Sequence, residues 1–395
     1  MSLLPTPAAT WAALHGPPVT PHPPYAGGRE AARGTDEDGA DVGRVTLQTV
    51  ADAVGVSRMT VSNAFSRPDQ LSAALRARIL DAAADLGYVG PDPTARALAR
   101  RSTGAVGVVL TDSLGEAFRD PAASAFFGAL AEELAPAGLT VSLIPAQSVG
   151  GHLHARDLPV DAAVVYGCAG ETEAVDWLAR RRLPLVFVDQ APLPGSPGVV
   201  LDDAGGGRLA VEHLLALGHR DIAVLTMDPT RTAPGWRTAP LSDNPNHVAR
   251  ERARGAVAAV EAAGLTARVY DVVDNHPQDV DPGVRDLLGG SDAPTGVVCF
   301  SDLMGASLVR AAQATGRTVP DDLSVVGFDD SFLAGSVTPA LTTMRQDFVA
   351  KGHAAARALA DAMARARGED DAGRPRTVMI PVELVVRGST GPAPR

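Results

Sequence analysis

The stretch VTLQTVADAVGVSRMTVSNAF, residues 45–65, decides the organisation of this 395-residue chain. Leu47, Val50, Ala51 and Val54 recur at i, i+3, i+4 and i+7, which gives one short helix a single apolar face. Gly55 follows, at the kind of position where helices end and the chain bends. Ser57 is placed to N-cap a second helix, from which Val61 and Phe65 point back to the core. Helix, glycine turn and helix form a helix-turn-helix pattern. The second helix of such a unit lies in the DNA major groove and reads base edges from its N-terminal half. Here that half is Arg58, Met59, Thr60, Ser62 and Asn63. By pattern alone, an ordinary helical hairpin also fits.

Outward from this stretch, a third helix begins near Ser72 and runs through Leu75, Ile79, Ala82, Ala83 and Leu86 to Gly87, completing a unit over residues 45–90. The segment GPDPTARALARRSTG, residues 90–104, comes next. Pro93 suits the first turn of a helix, and residues 94–100 make about two turns, too few to be stable alone in water. Their charges are all positive and Leu98 is their large apolar side chain. The segment reads either as a linker or as a helix that forms on DNA, with Leu98 wedged into the minor groove beside Arg96. On the other side, residues 1–44 are rich in Pro, Gly and Ala and end in acids, and are expected to be disordered.

Charge supports this division. The chain carries a net −11, which by itself argues against nucleic acid. Residues 45–103, however, hold seven Arg and five Asp, so the positive segment is the one with the helix-turn-helix. Phosphate contact needs local cations, not a basic whole protein. No apolar run is long enough for a membrane span, and the proline-broken N-terminus makes a poor signal peptide. Cys168 and Cys299 offer neither a disulfide framework nor metal spacing. A cytoplasmic protein, associated with the nucleoid, is expected.

From Ala105 the pattern changes. Residues 105–110, 139–144, 162–166, 184–189, 222–227, 295–300 and 323–328 are short apolar runs, most of them separated by helical segments such as 126–134 and 209–217. Continuous apolar strands alternating with helices indicate parallel sheets covered on both faces. Seven such strands suit two α/β subdomains better than one sheet.

These residues resemble the lactose-repressor (LacI/GalR) family of bacterial transcription regulators. The likeness runs through the helix-turn-helix, VVLDDAGGGRLAVEHLLALGHRDIAVL (199–225), LSVVGFDDS (323–331), PALTTMRQD (339–347) and ELVVRGST (383–390). It implies an all-α headpiece plus a periplasmic-binding-protein-like core of two doubly wound α/β subdomains joined by three crossovers. The expected division is 45–90 for the headpiece and 91–103 for the hinge. The N-subdomain is placed at 104–202 plus 341–368, and the C-subdomain at 203–340 plus 369–395. The resemblance also implies a homodimer, a pseudo-palindromic operator and a small-molecule effector, with repression as the usual outcome.

Roles follow from this. Arg58 can pair with guanine and Asn63 with adenine, while Met59 can meet a thymine methyl. Thr46, Ser57, Thr60 and Ser62 are expected at phosphates and as caps. One residue more than in many relatives, with Gly90 the extra one, precedes Leu98. Asp112, Asp189, Ser301 and Asp329 end strands, where ligands of open α/β sheets sit. By resemblance, Asp189, Asp329 and Arg252 bind the effector, and Asp329 opposite Arg252 suits vicinal hydroxyls of a sugar, sugar derivative or nucleoside. Asp302 and Asp330 are read as helix caps, and Asp202 and Asp203 as caps or subdomain-crossing residues. Trp236, in a long loop at 228–249, either lids the cleft or is an exposed loop residue.

Enzyme readings are weak. Gly205-Gly206-Gly207 precedes a helix, but no Lys-Ser/Thr follows to make a P-loop, and there is no G-x-S-x-G elbow. The pairs His152 and His154, or His213 and His219, lack matched ligands for a metal. No cofactor is expected. A solute-binding protein without a DNA role is the other alternative, which the helix-turn-helix opposes.

Overall fold

The computed structural model describes residues 45–100, 102–111, 114–148, 150–167, 172–290, 293–369 and 374–394. The chain divides into two compact units, Met1–Pro91 and Asp92–Arg395.

In the first unit, Thr46 caps α1 (Leu47–Val54) in a capping box with Thr49, and Gly55 ends it in the left-handed conformation at φ 77°. Such a φ strains any side chain with a Cβ, so the tight turn requires glycine. Ser57 caps α2 (Arg58–Ser66), and Ser72 caps α3 (Ala73–Asp85). Val50, Ala51, Val61, Ala64, Ile79 and Ala83 form the core of the unit. A domain this small has little apolar surface to bury, so each cap matters. Helices α1, α2 and α3 pack around this core as one body.

The second unit opens with α4 (Pro93–Arg100), where Asp92 accepts a hydrogen bond from the Ala95 amide at 3.2 Å. Its first sheet joins β1 (Ala105–Leu110), β2 (Thr140–Pro145), β3 (Ala162–Tyr166), β4 (Leu185–Val188), β5 (Gly198–Leu201) and β12 (Thr377–Ile380), in the order β12-β5-β4-β3-β1-β2. Every pairing in it is parallel. Helices α6 (Pro121–Leu134), α8 (Glu173–Arg180) and α14 (Phe348–Ala366) cover it.

The second sheet has β6 (Ile222–Met227), β7 (Gly235–Trp236), β8 (Arg268–Val272), β9 (Gly296–Cys299), β10 (Ser324–Asp329), β11 (Thr342–Gln346) and β13 (Val382–Val385). Their order is β13-β11-β10-β9-β6-β8-β7, with β13 and β7 antiparallel at the edges. Helices α9 (Asp203–Ala216), α10 (His247–Ala262), α11 (Pro277–Gly289) and α12 (Asp302–Ala314) accompany it. The chain passes between sheets after β5, after β11 and between β12 and β13.

Two expected boundaries therefore move. Residues 342–346, assigned to the N-subdomain, hydrogen-bond to β10 in the second sheet. Residues 377–380, assigned to the C-subdomain, extend the first sheet beside β5. All seven expected strands are present. The remaining six are short, polar or alternating, and escape a search for continuous apolar runs.

The glycine run at 205–207 serves packing. A Cβ on Gly207 would lie 2.1 Å from the Arg252 carbonyl oxygen, and one on Gly255 would lie 1.9 Å from the Ala204 carbonyl oxygen. Helices α9 and α10 thus touch backbone to backbone, which only glycine permits. His213 and His219 hold the C-terminal tail, through Thr390 Oγ1 at 2.9 Å and the Gly391 carbonyl at 3.1 Å. Cys299 is buried, and burial pushes its thiol pKa up. Cys168 lies outside the described residues. No described helix is long and apolar enough to cross a membrane.

Candidate reading helix and effector cleft

At about 100° per residue, Arg58, Ser62, Met59 and Asn63 share an arc of roughly 140° on α2. Val61 and Ala64 lie on the other side and are fully buried. Arg58 is exposed, and Met59 is 70 % exposed, unusual for so apolar a side chain. Ser57 Oγ accepts from the Thr60 amide at 3.1 Å and bonds the Thr60 hydroxyl at 2.8 Å. Thr46 Oγ1 accepts from the Thr49 amide at 3.3 Å. These hydroxyls are partly committed to caps. Asn63 donates to Gln70 Oε1 at 3.2 Å, so a base must compete with that bond. In the second unit, Leu98 on α4 is 81 % exposed.

Within the second unit, the carboxyl ends of strands from both sheets enclose a cavity of about 210 Å³. Leu110 and Thr111 close one side with Tyr166, while Met227, Phe300, Ser301 and Asp329 close the other. The N-terminus of α6 adds Asp120, the start of α10 adds Asn246, and the loop after β8 adds Asp274, Asn275 and His276. The site is where open α/β sheets place ligands.

A buried charge cluster lies behind this wall. Arg252 Nε donates to Asp203 Oδ1 at 2.8 Å, and its Nη1 to the Phe300 carbonyl at 2.6 Å and to Asp329 Oδ1 at 3.4 Å. The guanidinium stacks 3.5 Å over the Phe328 ring centroid. Gln346 Nε2 donates to Asp329 Oδ1 at 2.7 Å. Burial pushes the Asp329 carboxyl up to about 8, against the pull of Arg252 and with the help of Asp302 and Asp120. Burial likewise lifts Asp203 to about 6, although Arg252 opposes it. Asp329 also holds a left-handed backbone, φ 113°, a strain that clusters at functional sites.

The expected effector residues separate into those that meet here and those that do not. Asp329 and Ser301 line the cavity. Ser301 Oγ, however, caps α12 through the Met304 amide at 3.2 Å and donates to Asn275 Oδ1 at 2.7 Å. Arg252 stands behind Asp329, not in the wall. Asp189 is buried and paired with Lys351 Nζ at 2.8 Å, while its Oδ1 has no hydrogen-bond partner. Asp112 lies outside the described residues. Of the two readings of Trp236, the lid is corrected: it is an exposed residue on β7 at the sheet edge, edge-on to Tyr270 with ring centroids 5.1 Å apart, and takes no part in the cavity wall.

Asp302 and Asp330 are also corrected. Neither caps a helix. Asp302 accepts from the Ser331 amide at 2.7 Å and from the Thr343 hydroxyl, which ties β11 to α12. Asp330 pairs with Arg345 Nε at 2.7 Å and Arg387 Nη2 at 2.5 Å.

Sequence reading missed Asp120, Asn246, Asp274 and Lys351, and it read Asp203 as a cap or subdomain-crossing residue and not as the partner of Arg252. Asp120-Pro121 carries the N-cap signature that marks a helix start at the cleft. Asn246 likewise caps α10 by accepting from the Ala249 amide at 2.9 Å. Lys351 has no local signal, because a buried lysine needs a partner that only the tertiary fold supplies.

Residues 46–90 match the family model for bacterial regulatory proteins of the lacI family, and residues 211–390 match a periplasmic binding protein-like domain. An HTH-type transcriptional regulator of Mycolicibacterium smegmatis is 36 % identical over 390 residues, 95 % of this chain and 99 % of the relative. The HTH-type transcriptional regulator IpsA of Corynebacterium glutamicum is 36 % identical over 325 residues, 80 % of this chain and 90 % of the relative. Among solved structures, the lac repressor dimer bound to operator and the anti-inducer ONPF superposes with a TM-score of 0.70 at 25 % identity, over 88 % of this chain and 99 % of that one. A complex of the transcriptional regulator CelR with cellobiose gives 0.61 at 27 % identity, over 88 % and 100 %. The chain belongs to the LacI family of bacterial regulators, an effector-regulated DNA-binding transcription factor with a helix-turn-helix headpiece and a periplasmic-binding-protein-like core.

Proposed function

We propose that the chain is a cytoplasmic, nucleoid-associated repressor that binds a pseudo-palindromic operator as a homodimer. A sugar, sugar derivative or nucleoside held between the two α/β subdomains sets its operator affinity. The observation that carries the effector reading is the cavity of about 210 Å³, walled by the carboxyl ends of both sheets and lined by carboxylates, amides and hydroxyls. A solute touching both subdomains binds open and closed arrangements unequally, and only unequal binding shifts an equilibrium.

At the DNA, Arg58, Met59 and Asn63 read bases from one face of α2. Thr46, Ser57, Thr60 and Ser62 hold phosphates through hydroxyls and helix N-termini, which fixes register. Leu98 and Arg96 of α4 enter the minor groove, Leu98 as the wedge and Arg96 as its cation. The protein performs no catalytic step and uses no metal or cofactor.

The test selects duplexes from a random pool with the full chain. It then measures affinity for the winner across salt concentrations, with and without sugars and nucleosides. A two-fold related site, a steep salt slope and a solute-dependent affinity are expected. Equal binding of selected and random duplexes would remove the operator reading.

A further inference from the structure

The first sheet is wholly parallel, so the amino ends of its strands form one edge, and α4 enters that edge through residues 102–104. At the β12 end of the same edge, a groove of about 730 Å³ opens between the second half of α14 and the chain entering β12. Arg357, Asp361 and Arg365 recur at every fourth position of α14, which puts them on one face of the helix over about 12 Å. Arg374 and Arg376, on either side of Pro375, supply the other wall. In a chain of net charge −11, four arginines against one carboxylate is a strong local excess. Arg357, Arg374 and Arg376 are exposed, and their side chains have no ion pair or hydrogen bond among the described residues. Glu369, just beyond α14, is already held by Arg367 at 2.6 Å. Guanidinium groups gathered without counter-charges repel one another, and a polyanion relieves that repulsion.

Two features choose duplex DNA over an acidic protein. Protein interfaces are anchored by large apolar or aromatic side chains in a dry core, whereas interfaces with DNA are polar and positively charged. Beyond alanine and proline, the apolar lining of this groove is Val378. The second feature is place, since the groove shares an edge with the hinge. In the order β12-β5-β4-β3-β1, β12 lies four strands from β1, a lateral distance of about 19 Å. Along a duplex that is about six base pairs.

We propose that, on the operator reading above, this groove is a second DNA contact, in which Arg357, Arg374 and Arg376 hold backbone phosphates about six base pairs to the side of the α4 site. Guanidinium forks take phosphate oxygens bidentately and read no base, so the contact strengthens binding to any sequence.

The test uses the full chain with three duplexes: the selected site alone, the site extended by one helical turn on each side, and a random duplex of the longer length. Affinity is measured across salt concentrations for the wild type, for Arg374→Gln combined with Arg376→Gln, for Asp361→Asn and for Arg58→Ala. The double variant flattens the slope of log affinity against log salt by about 1–2, equally on selected and random duplexes, and weakens binding about threefold to thirtyfold at low salt. The wild type gains affinity from the extension, and the double variant does not. Asp361→Asn tightens binding about twofold to fivefold, a gain that misfolding cannot produce. All three replaced side chains are exposed, so melting temperatures stay at the wild-type value. An unchanged slope with lowered melting would mean that the arginines hold residues 370–373, which lie outside the described residues, and would overturn the inference. An unchanged slope with loss of binding to polyglutamate would assign the groove to an acidic protein and overturn it as well. Either result leaves the operator reading standing while Arg58→Ala still loses preference for the selected duplex. Binding to no duplex would overturn both.

Discussion

At the residue scale, two side chains carry tests of different kinds. Arg58 projects from the N-terminal half of α2 into solvent. If it donates a bidentate pair to guanine, Arg58→Ala costs roughly 1–3 kcal/mol on the operator and relaxes preference at one base pair. Binding to selected and scrambled duplexes separates the outcomes, since an equal loss on both means phosphate contact. Asp329 carries a pH test. Its pKa is raised to about 8 by burial and by Asp302 and Asp120, against Arg252 and Gln346. The folded protein therefore holds a proton that the unfolded chain releases near pH 4. Stability falls as pH rises between about 4 and 8, by at most about 1.4 kcal/mol per pH unit from this group. Asp203 adds to the fall at the lower end, because its pKa is raised to about 6. Denaturant titrations at several pH values should show Asp329→Asn losing less stability than wild type between pH 6 and 8. Parallel curves would mean that Asp329 is ionised throughout. Arg252 and Asp329 were legible because they stand in matching motifs. Asp203 and Lys351 were not, since their pairing joins residues 49 and 162 positions apart in sequence.

Elements show a different balance. Most strands read correctly from sequence, such as β3, β6 and β10, are buried on both faces and show as continuous apolar runs, whereas β2 is largely half-buried. β11 is TTMRQ and β8 is RVYDV, and neither is apolar throughout. β7 grows out of the long loop after β6, where a tryptophan invited reading as a lid. Its pairing with β8 rests on Arg237, whose Nε lies 3.0 Å from Asp271 and whose guanidinium also reaches Asp228. The glycine run was legible as a helix start, but its partner glycine 255, on another helix, was not. The approach of α9 to α10 brings Asp203 to Arg252, so it can be tested at Gly255. An added methyl there would lie 1.9 Å from a backbone oxygen, which no side-chain rotation relieves. Better helix propensity returns about 1 kcal/mol, but overpacking costs about 1–3 kcal/mol and backbone clashes fall at the upper end. Gly255→Ala should thus lower unfolding free energy and also weaken cleft ligands. Wild-type stability in the variant would mean that α9 and α10 slide apart freely.

For the whole molecule, the question is how a cleft at the carboxyl ends of the strands influences a hinge attached at their amino ends. The first sheet is entirely parallel, so its two edges are opposite faces of one rigid layer. Asp161, at the amino end of β3, grips the chain between α4 and β1. It accepts from the Ser102 hydroxyl at 2.6 Å, the Thr103 amide at 2.7 Å, the Thr103 hydroxyl at 2.9 Å and the Gly104 amide at 2.9 Å. Burial alone would raise its pKa, but these bonds outweigh it and hold the carboxyl below its usual range. The clamp is therefore complete at neutral pH and opens only as acid protonates Asp161. If the proposed effector rotates the first sheet, Asp161 is the side chain through which that sheet holds residues 102–104, beside the backbone bond from the Thr140 amide to the Gly104 carbonyl. Asp161→Ala keeps the cleft residues in place and removes the grip. The expected result is effector affinity within about twofold of wild type in the absence of DNA, with the effector's influence on operator affinity reduced from the usual 5–150-fold range towards unity. Reciprocity makes the measurement self-checking, because the operator must then also lose its influence on effector affinity by the same factor. Coupling retained at its wild-type value in both directions would move the relay elsewhere, to the crossovers after β5 and β11.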